Sequence, residues 1–279
     1  MMKTKAFLLF FLFSMGASTL IYGQDMNVMT YNIRFDNPDD ENDSWERRKV
    51  LILEQILFYE PAVFGIQEGM HHQVQYLDDS LPGYDYAGVG RDDGQTGGEY
   101  SAVYYNHSLF TRVKHHTFWL SEKPGEPSVG WDAAMERVCT CVLLRHKKSG
   151  QRVWVFNTHF DHVGEQARRN SARLILDKIN ELNTGNHPVV LMGDLNAQPD
   201  DQPIQLIGSR MKDTRLVSEI RPFGPEGTYN GFRFDEPVKR RIDYIFVDGL
   251  KVIKYGVLSD PENLQYPSDH FPVLARVRF

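Results

Sequence analysis

The stretch Val189-Val190-Leu191-Met192-Gly193-Asp194-Leu195-Asn196 decides the fold. Four apolar residues in succession, two of them β-branched, suit a short strand buried on both faces. The strand then runs straight into a glycine, a carboxylate and an amide, so a rigid element delivers polar side chains at its end. The same design recurs. Val28-Met29-Thr30-Tyr31 runs into Asn32, Val63-Phe64-Gly65-Ile66 into Gln67-Glu68, and 153–157 into Thr158-His159. Near the C-terminus the order inverts, with Ser268-Asp269-His270 standing immediately before the apolar run 271–277. Strand ends along one rim of a sheet are where α/β proteins place ligands and chemistry, because strands aim side chains that loops would leave mobile.

Outward from these points, strands are predicted at 28–33, 62–66, 102–105, 138–144, 153–156, 188–192, 242–247 and 271–277. Asp43-Ser44-Trp45-Glu46 has capping-box spacing and opens a helix with Val50, Leu53 and Leu57 on one face, stopping at Pro61. A second helix is predicted over 165–182. The Gly- and Pro-rich stretches 92–98, 124–131 and 221–236 read as loops. The acidic run 36–43 lacks the glycine and terminal glutamate of a calcium-binding loop and reads as a solvated loop near the site mouth. With no internal repeat and no linker-like shift in composition, one α/β domain spanning 24–279 is the simplest organisation.

At 279 residues, 41% hydrophobic and 24% charged, the chain can bury a sizeable core. Thirty-one Lys and Arg against 37 Asp and Glu leave a net charge of -6. Such a chain does not wrap nucleic acid by bulk charge, although an enzyme meeting phosphate at a local cationic site is compatible with it. At the N-terminus, Lys3 and Lys5 precede the apolar run 6–13, then small and polar residues lead to Ile21-Tyr22-Gly23. This predicts a signal peptide over 1–23 and an exported protein, periplasmic or extracellular. The run falls short of the roughly 20 residues that a spanning helix needs. Cys139 and Cys141, two apart in a predicted strand, point to one face and are expected to be free core thiols. No Cys/His grouping has structural-zinc spacing.

The chemistry that suits these residue types is metal-assisted phosphoester hydrolysis. Hard oxygen ligands without thiolates favour Mg²⁺, with Mn²⁺ as the substitute, and Glu68 and Asn32 fit as ligands. Asp194 fits a carboxylate that orients a water and takes its proton, with Asn196 holding the water or a phosphoryl oxygen. His270 is suited to donate to a phosphoryl oxygen, with Asp243 fixing its tautomer, and His159 to meet another oxygen. A carboxylate inside a strand, as at Asp243, needs a partner when buried.

Taken together, Thr30-Tyr31-Asn32, Gln67-Glu68, Asn157-Thr158-His159, Gly193-Asp194-Leu195-Asn196, Ile242-Asp243-Tyr244 and Ser268-Asp269-His270 resemble the endonuclease/exonuclease/phosphatase superfamily, which includes the deoxyribonuclease-I-like nucleases. The resemblance covers nearly the whole mature chain. It implies a four-layer α/β/β/α sandwich of two mixed β-sheets with an active site on one rim. It also implies that Asn32 and Glu68 bind the metal, with Asp269 near it and contacting His270. Asp194 and Asn196 would handle the water, and the pair of Asp243 and His270 would stabilise the transition state. Val89-Gly90-Arg91-Asp92-Asp93-Gly94 looks like a feature of secreted bacterial members, and Arg137 looks similar to a phosphate-contacting arginine of the nucleases, so both arginines are candidate substrate contacts.

The expectation is an exported phosphoesterase, a monomer, acting on a phosphodiester or phosphomonoester, with sugar, lipid-headgroup and nucleotide phosphates all compatible. Two rivals are a nuclease acting on DNA or RNA and a non-catalytic phospho-ligand-binding protein on the same scaffold. The acidic balance weighs against the first and the intact polar set against the second. The aromatic group of Phe118, Trp119 and Trp131 could shape a substrate pocket, with at least part of it expected in the core.

Overall fold

A computed structural model describes residues 24–279, and the predicted leader lies outside the described residues. In chain order the elements are β1 Asp25–Asn32, α1 Trp45–Tyr59, β2 Val63–Gln67, α2 His71–Ser80, β3 Tyr84–Ala87, β4 Val103–Asn106, β5 Phe110–Trp119, β6 Val138–His146 and β7 Arg152–His159. They continue with α3 Glu165–Leu182, β8 Val189–Asp194, α4 Gln202–Gly208, β9 Lys212–Asp213, α5 Thr214–Val217, β10 Asp243–Asp248, β11 Lys251–Val257 and β12 Val273–Arg278. The strands form two six-stranded sheets, ordered β11-β12-β1-β2-β4-β3 and β5-β6-β7-β8-β10-β9. Both are mixed, since β1 runs parallel to β2 and β7 parallel to β8 while their other neighbours are antiparallel.

Alternation along each strand sorts side chains into layers. Met26 and Val28 of β1, Val153 and Val155 of β7, Val190 and Met192 of β8 and Ile245 and Val247 of β10 share one apolar cluster between the sheets. The other parity faces outward. Met29, Tyr31, Phe64 and Ile66 pack against Trp45, Ile52 and Ile56 of α1 and Val74 and Leu77 of α2. On the far side Phe156, Leu191 and Phe246 pack against Ala172 and Ile175 of α3 and Ile204 and Ile207 of α4. This is the expected four-layer α/β/β/α sandwich. No helix among the described residues is long and apolar enough to cross a membrane. Cys139 and Cys141 are free and buried in the outer layer with α3, as their spacing predicts.

All eight predicted strands are present, and all are interior to their sheets. The strands that the pattern misses, β3, β5, β9 and β11, are the four edges. An edge strand need not alternate: most of β5 is exposed, from Thr111 to His116, and carries Arg112, Lys114, His115 and His116. The helix at 45–59 has the expected span but not the expected face. Its buried stripe is Trp45, Arg48, Ile52 and Ile56, while Val50 and Leu57 are about half exposed, and Ser44 makes no side-chain cap bond. Arg48 disguises the stripe. It is 3% exposed and donates to the carbonyls of Ile33 and Pro267 at 2.8 Å each, tying together the chain segments that carry Asn32 and Asp269. The acidic run is not a loop throughout: Pro38–Asp43 forms a 3₁₀ turn, and Asp40 takes two bonds from Arg34 at 2.9 Å.

Two glycines let backbones meet. A Cβ on Gly65 would strike the Asn157 side chain from the facing sheet, and one on Gly193, at φ +144°, would strike the Thr158 carbonyl of the neighbouring strand.

Candidate active site

The apolar layer between the sheets turns polar at one end. Continuing the inward parity, β1 ends in Thr30 and Asn32, β2 in Gln67, β7 in Asn157 and His159 and β8 in Asp194, while β10 begins with Asp243. All of these are nine-tenths or more buried. Three further residues reach the rim because the chain turns sharply: Arg34, Glu68 and Asn196 adopt φ of 59°, 62° and 44°. Left-handed backbone in side-chain-bearing residues costs of order 1 kcal/mol each and tends to collect at functional sites.

Side-chain hydrogen bonds join the sheets here. Gln67 Nε2 donates to Asn157 Oδ1 at 2.6 Å, Asn32 Nδ2 donates to Asp194 Oδ2 at 3.0 Å, and His270 Nδ1 pairs with Asp243 Oδ2 at 2.9 Å. Asn157 also donates to the carbonyls of Ile66 and Ala102, at 2.8 and 2.9 Å. Asp194 is the hub. Its Oδ1 accepts the Asn196 backbone N–H at 2.9 Å, and its Oδ2 lies 3.4 Å from His159 Nε2 and 3.7 Å from His270 Nε2. The Asn196 amide nitrogen contacts His159 Nε2 at 3.0 Å and donates to the Phe160 carbonyl at 3.1 Å.

Eight of the ten candidate residues line one cavity of about 470 Å³: Glu68, Arg91, Arg137, His159, Asp194, Asn196, Asp269 and His270. Asn32 and Asp243 stand behind it and act through their neighbours. The Asn32 amide directs its nitrogen at Glu68 Oε1, 2.8 Å away, and at Asp194, while its oxygen accepts the Arg34 backbone N–H at 3.1 Å. As placed, Asn32 holds two carboxylates together. His270 bonds to Asp243, the carboxylate expected to fix its tautomer, while Asp269 makes no hydrogen bond to the ring and lies 3.9 Å from Arg34 instead. Phe118 and Trp119 are buried, as expected, and Trp119 Nε1 donates to the Arg91 carbonyl at 2.7 Å.

Burial and neighbouring charge set the proton inventory. Burial, reinforced by Asp243, pushes Asp194 up to about 7. Burial and the Glu68 charge carry Asp269 up to about 6, against the pull of His270 and two arginines. Burial holds His159 well below the usual histidine range, and Arg137 and Arg91 push the same way. Burial also opposes charge on His270, but Asp243 and Asp194 outweigh it and raise the ring well above the ordinary value.

Sequence reading missed Glu99, Arg34, Tyr229 and Arg240, which also line the cavity from loops and turns without strand-end spacing. Glu99 takes a two-pronged ion pair from Arg91, both bonds at 2.8 Å, and burial and Glu68 push it up to about 7. Arg137 lies 3.4 Å from Asp161 and contacts His162 Nδ1 at 3.0 Å. Arg91 and Arg137 are thus both ion-paired and cavity-lining, and Arg91 Nε, Arg137 Nη1 and His159 Nδ1 are buried without a hydrogen-bond partner.

The donor set fits a hard divalent cation. Glu68, Asp194 and His270 present atoms within 4.8 Å of one another. The oxygens of Glu68, Asp194 and Asp269 are the hard donors here, and the raised values of the two aspartates, set first by burial and then by neighbouring carboxylates, are what a cation would lower.

Two mixed sheets meeting at a rim of carboxylates, amides and imidazoles define a phosphoester hydrolase of the α/β/β/α class. The chain belongs to the Endonuclease/Exonuclease/phosphatase family, whose model matches residues 29–270. A family member from Bacteroides thetaiotaomicron is 37% identical, covering 92% of this chain and 98% of that one, with a TM-score of 0.89. A mannosyl-6-phosphatase from the same organism is 37% identical over 91% of this chain and all of its own, with a TM-score of 0.88. The human nocturnin catalytic domain shares the fold at 23% identity, covering 91% of this chain and 94% of its own, with a TM-score of 0.72. Drosophila melanogaster nocturnin is 25% identical over 92% of this chain, which spans 47% of that protein's length.

Proposed function

We propose that the protein is an exported, Mg²⁺-dependent phosphoesterase that hydrolyses a small phosphorylated molecule, a sugar phosphomonoester first, by direct attack of a water oriented by Asp194. The observation that carries this reading is the placement of Asp194 Oδ2, bonded by Asn32 and facing both His159 and His270 within 3.7 Å. The buried carboxylate is fixed through both oxygens and opens onto the cavity, so a water beside it meets a base already aimed.

The other residues follow from their partners. Asn196, anchored on the Phe160 carbonyl, fixes the far side of that water's position. His270, held by Asp243, carries its Nε2–H into the cavity and donates to a phosphoryl oxygen as charge builds there. Arg91 and Arg137 offer buried N–H groups without partners, which suit the same anion. Mg²⁺, or Mn²⁺ in its place, held by Glu68 with Asp269 beside it, supplies charge neutralisation at the phosphoryl oxygens. Asn32 keeps Glu68 and Asp194 in register.

The substrate class draws on the 37% identity to a mannosyl-6-phosphatase and on the net charge of -6, which disfavours long nucleic acid. The structural neighbour whose name points to nucleic acid, a D. rerio TDP2 complexed with a single-strand DNA product, is 17% identical and supports the fold alone. Export rests on the sequence of 1–23.

The test is hydrolysis of mannose 6-phosphate, other sugar phosphates, a phosphodiester, DNA and RNA by the purified 24–279 chain, with Mg²⁺, Mn²⁺ or EDTA. Metal-dependent release of phosphate from sugar monoesters, abolished in Asp194→Ala, is expected. Turnover that survives EDTA or Asp194→Ala overturns the mechanism, and activity confined to DNA or RNA overturns the substrate class.

A further inference from the structure

Four arginines line the catalytic cavity, and three already have carboxylate partners. Arg34 is held by Asp40, Arg91 by Glu99 and Arg137 by Asp161. Arg240 is the exception: among the described residues it makes no ion pair. The residue is exposed, while its backbone is held. Its carbonyl accepts the backbone N–H groups of Thr228 and Tyr229 at 2.9 and 3.1 Å, and its guanidinium lies 5.3 Å from the centre of the Tyr229 ring. That ring meets His270 edge-on, with centroids 5.1 Å apart. Arg240 therefore stands on the His270 side of the cavity, three residues ahead of Asp243, whereas Arg91 and Arg137 belong to the His159 side.

A guanidinium paired with a carboxylate still offers hydrogen bonds, but its charge is balanced. An unpaired one in contact with an aromatic face brings a full positive charge to whatever anion enters. A phosphomonoester near neutral pH carries about -1.5 to -2 and three free oxygens. A diester carries one charge, and its third oxygen is esterified and poorly suited to accept from a guanidinium. The two ester classes differ in the group that an extra, uncompensated cation would read.

Resting on the phosphoesterase reading above, we infer that Arg240 is a specificity-determining residue that engages the terminal phosphoryl group of a phosphomonoester and sets the preference for monoesters over diesters. Hydrogen bonds to charged groups contribute about 1.5–3 kcal/mol, which is roughly 10- to 100-fold in binding.

The test compares wild type, Arg240→Gln and Arg240→Lys in Mg²⁺ on p-nitrophenyl phosphate and bis(p-nitrophenyl) phosphate, and measures inorganic phosphate binding by calorimetry. In Arg240→Gln, kcat/KM for the monoester is expected to fall about tenfold or more, with the diester-to-monoester ratio rising by a similar factor. Phosphate should bind about tenfold more weakly, and the lysine variant should recover part of both losses. An equal fall on both esters overturns the proposal, since it would mean that Arg240 acts through Tyr229 on His270. An unchanged monoester rate or unchanged phosphate affinity overturns it as well. Wild type silent on both esters counts against the phosphoesterase reading, whereas the calorimetry tests Arg240 independently of turnover.

Discussion

The two walls of the site carry a histidine each, and the two rings have opposite fates. His159, 7% exposed at the end of β7, lies 3.4 Å from Asp194, yet burial with the Arg137 and Arg91 charges holds it neutral. His270, 4% exposed before β12, is gripped by Asp243 with Asp194 beyond, and is held charged. Equal burial would depress both. The charge carried by each wall decides the difference, so one residue type supplies an uncharged contact on one side and a cationic donor on the other.

The largest effect should come from the residue between the walls. Asp194→Asn keeps the shape and loses the base, and single-turnover rates are expected to fall about 10³-fold with an unchanged circular dichroism spectrum. The His159 wall is sharpened by Asp161→Asn. Burial raises the Asp161 carboxyl, but the backbone N–H groups of Gly164 and Val163 and the Arg137 charge outweigh it and hold the group below its ordinary value. Breaking this buried pair should cost about 3 kcal/mol in urea unfolding at pH 7. A depressed carboxyl stabilises the fold above its unfolded value, about 3.9, and that contribution fades as pH falls through the folded value. The gap between wild type and variant should therefore narrow in melts below about pH 4.

On the opposite wall, Asp243→Asn replaces the carboxylate that anchors His270 and should lower kcat about 10²-fold, with KM little changed. A larger rise in KM than fall in kcat would mean that the pair serves binding. The smallest effect is expected where the walls are fastened. Asn157→Ala leaves Gln67 Nε2 with Thr30 alone and takes the side-chain donor from the carbonyls of Ile66 and Ala102, and should cost about 2 kcal/mol by urea melt while the proton inventory of each histidine, followed by NMR, stays as it is.

Much of this was legible because the interior strands advertise themselves twice. Residues 189–192 are apolar on both faces, and the next inward position, Asp194, is polar. The same step from apolar to polar marks Asn32, Gln67 and His159. The edge strands carry no such mark, since one side of β5 meets water and its sequence records little but solubility. Helix α1 misleads for the opposite reason: Arg48 is core-facing, yet it is spent on carbonyls that only the folded chain brings near. Glu99, Tyr229 and Arg240 were invisible because they sit in loops, where position depends on long-range closure rather than on local period. The contact expected between Asp269 and His270 shows the limit of adjacency, since the carboxylate bonded to the ring is Asp243 alone, 27 residues away on the other sheet.

The cross-sheet bonds imply that neither sheet owns the chemistry. Asn32, Glu68, Asp269 and His270 arrive with one sheet, and His159, Asp194, Asn196 and Asp243 with the other. A denaturant or mutation that lets the two layers slip by an ångström would extinguish turnover while every strand and helix stayed intact. Catalysis in this protein is thus a gauge of docking between halves, and it should fail ahead of any spectroscopic sign of unfolding.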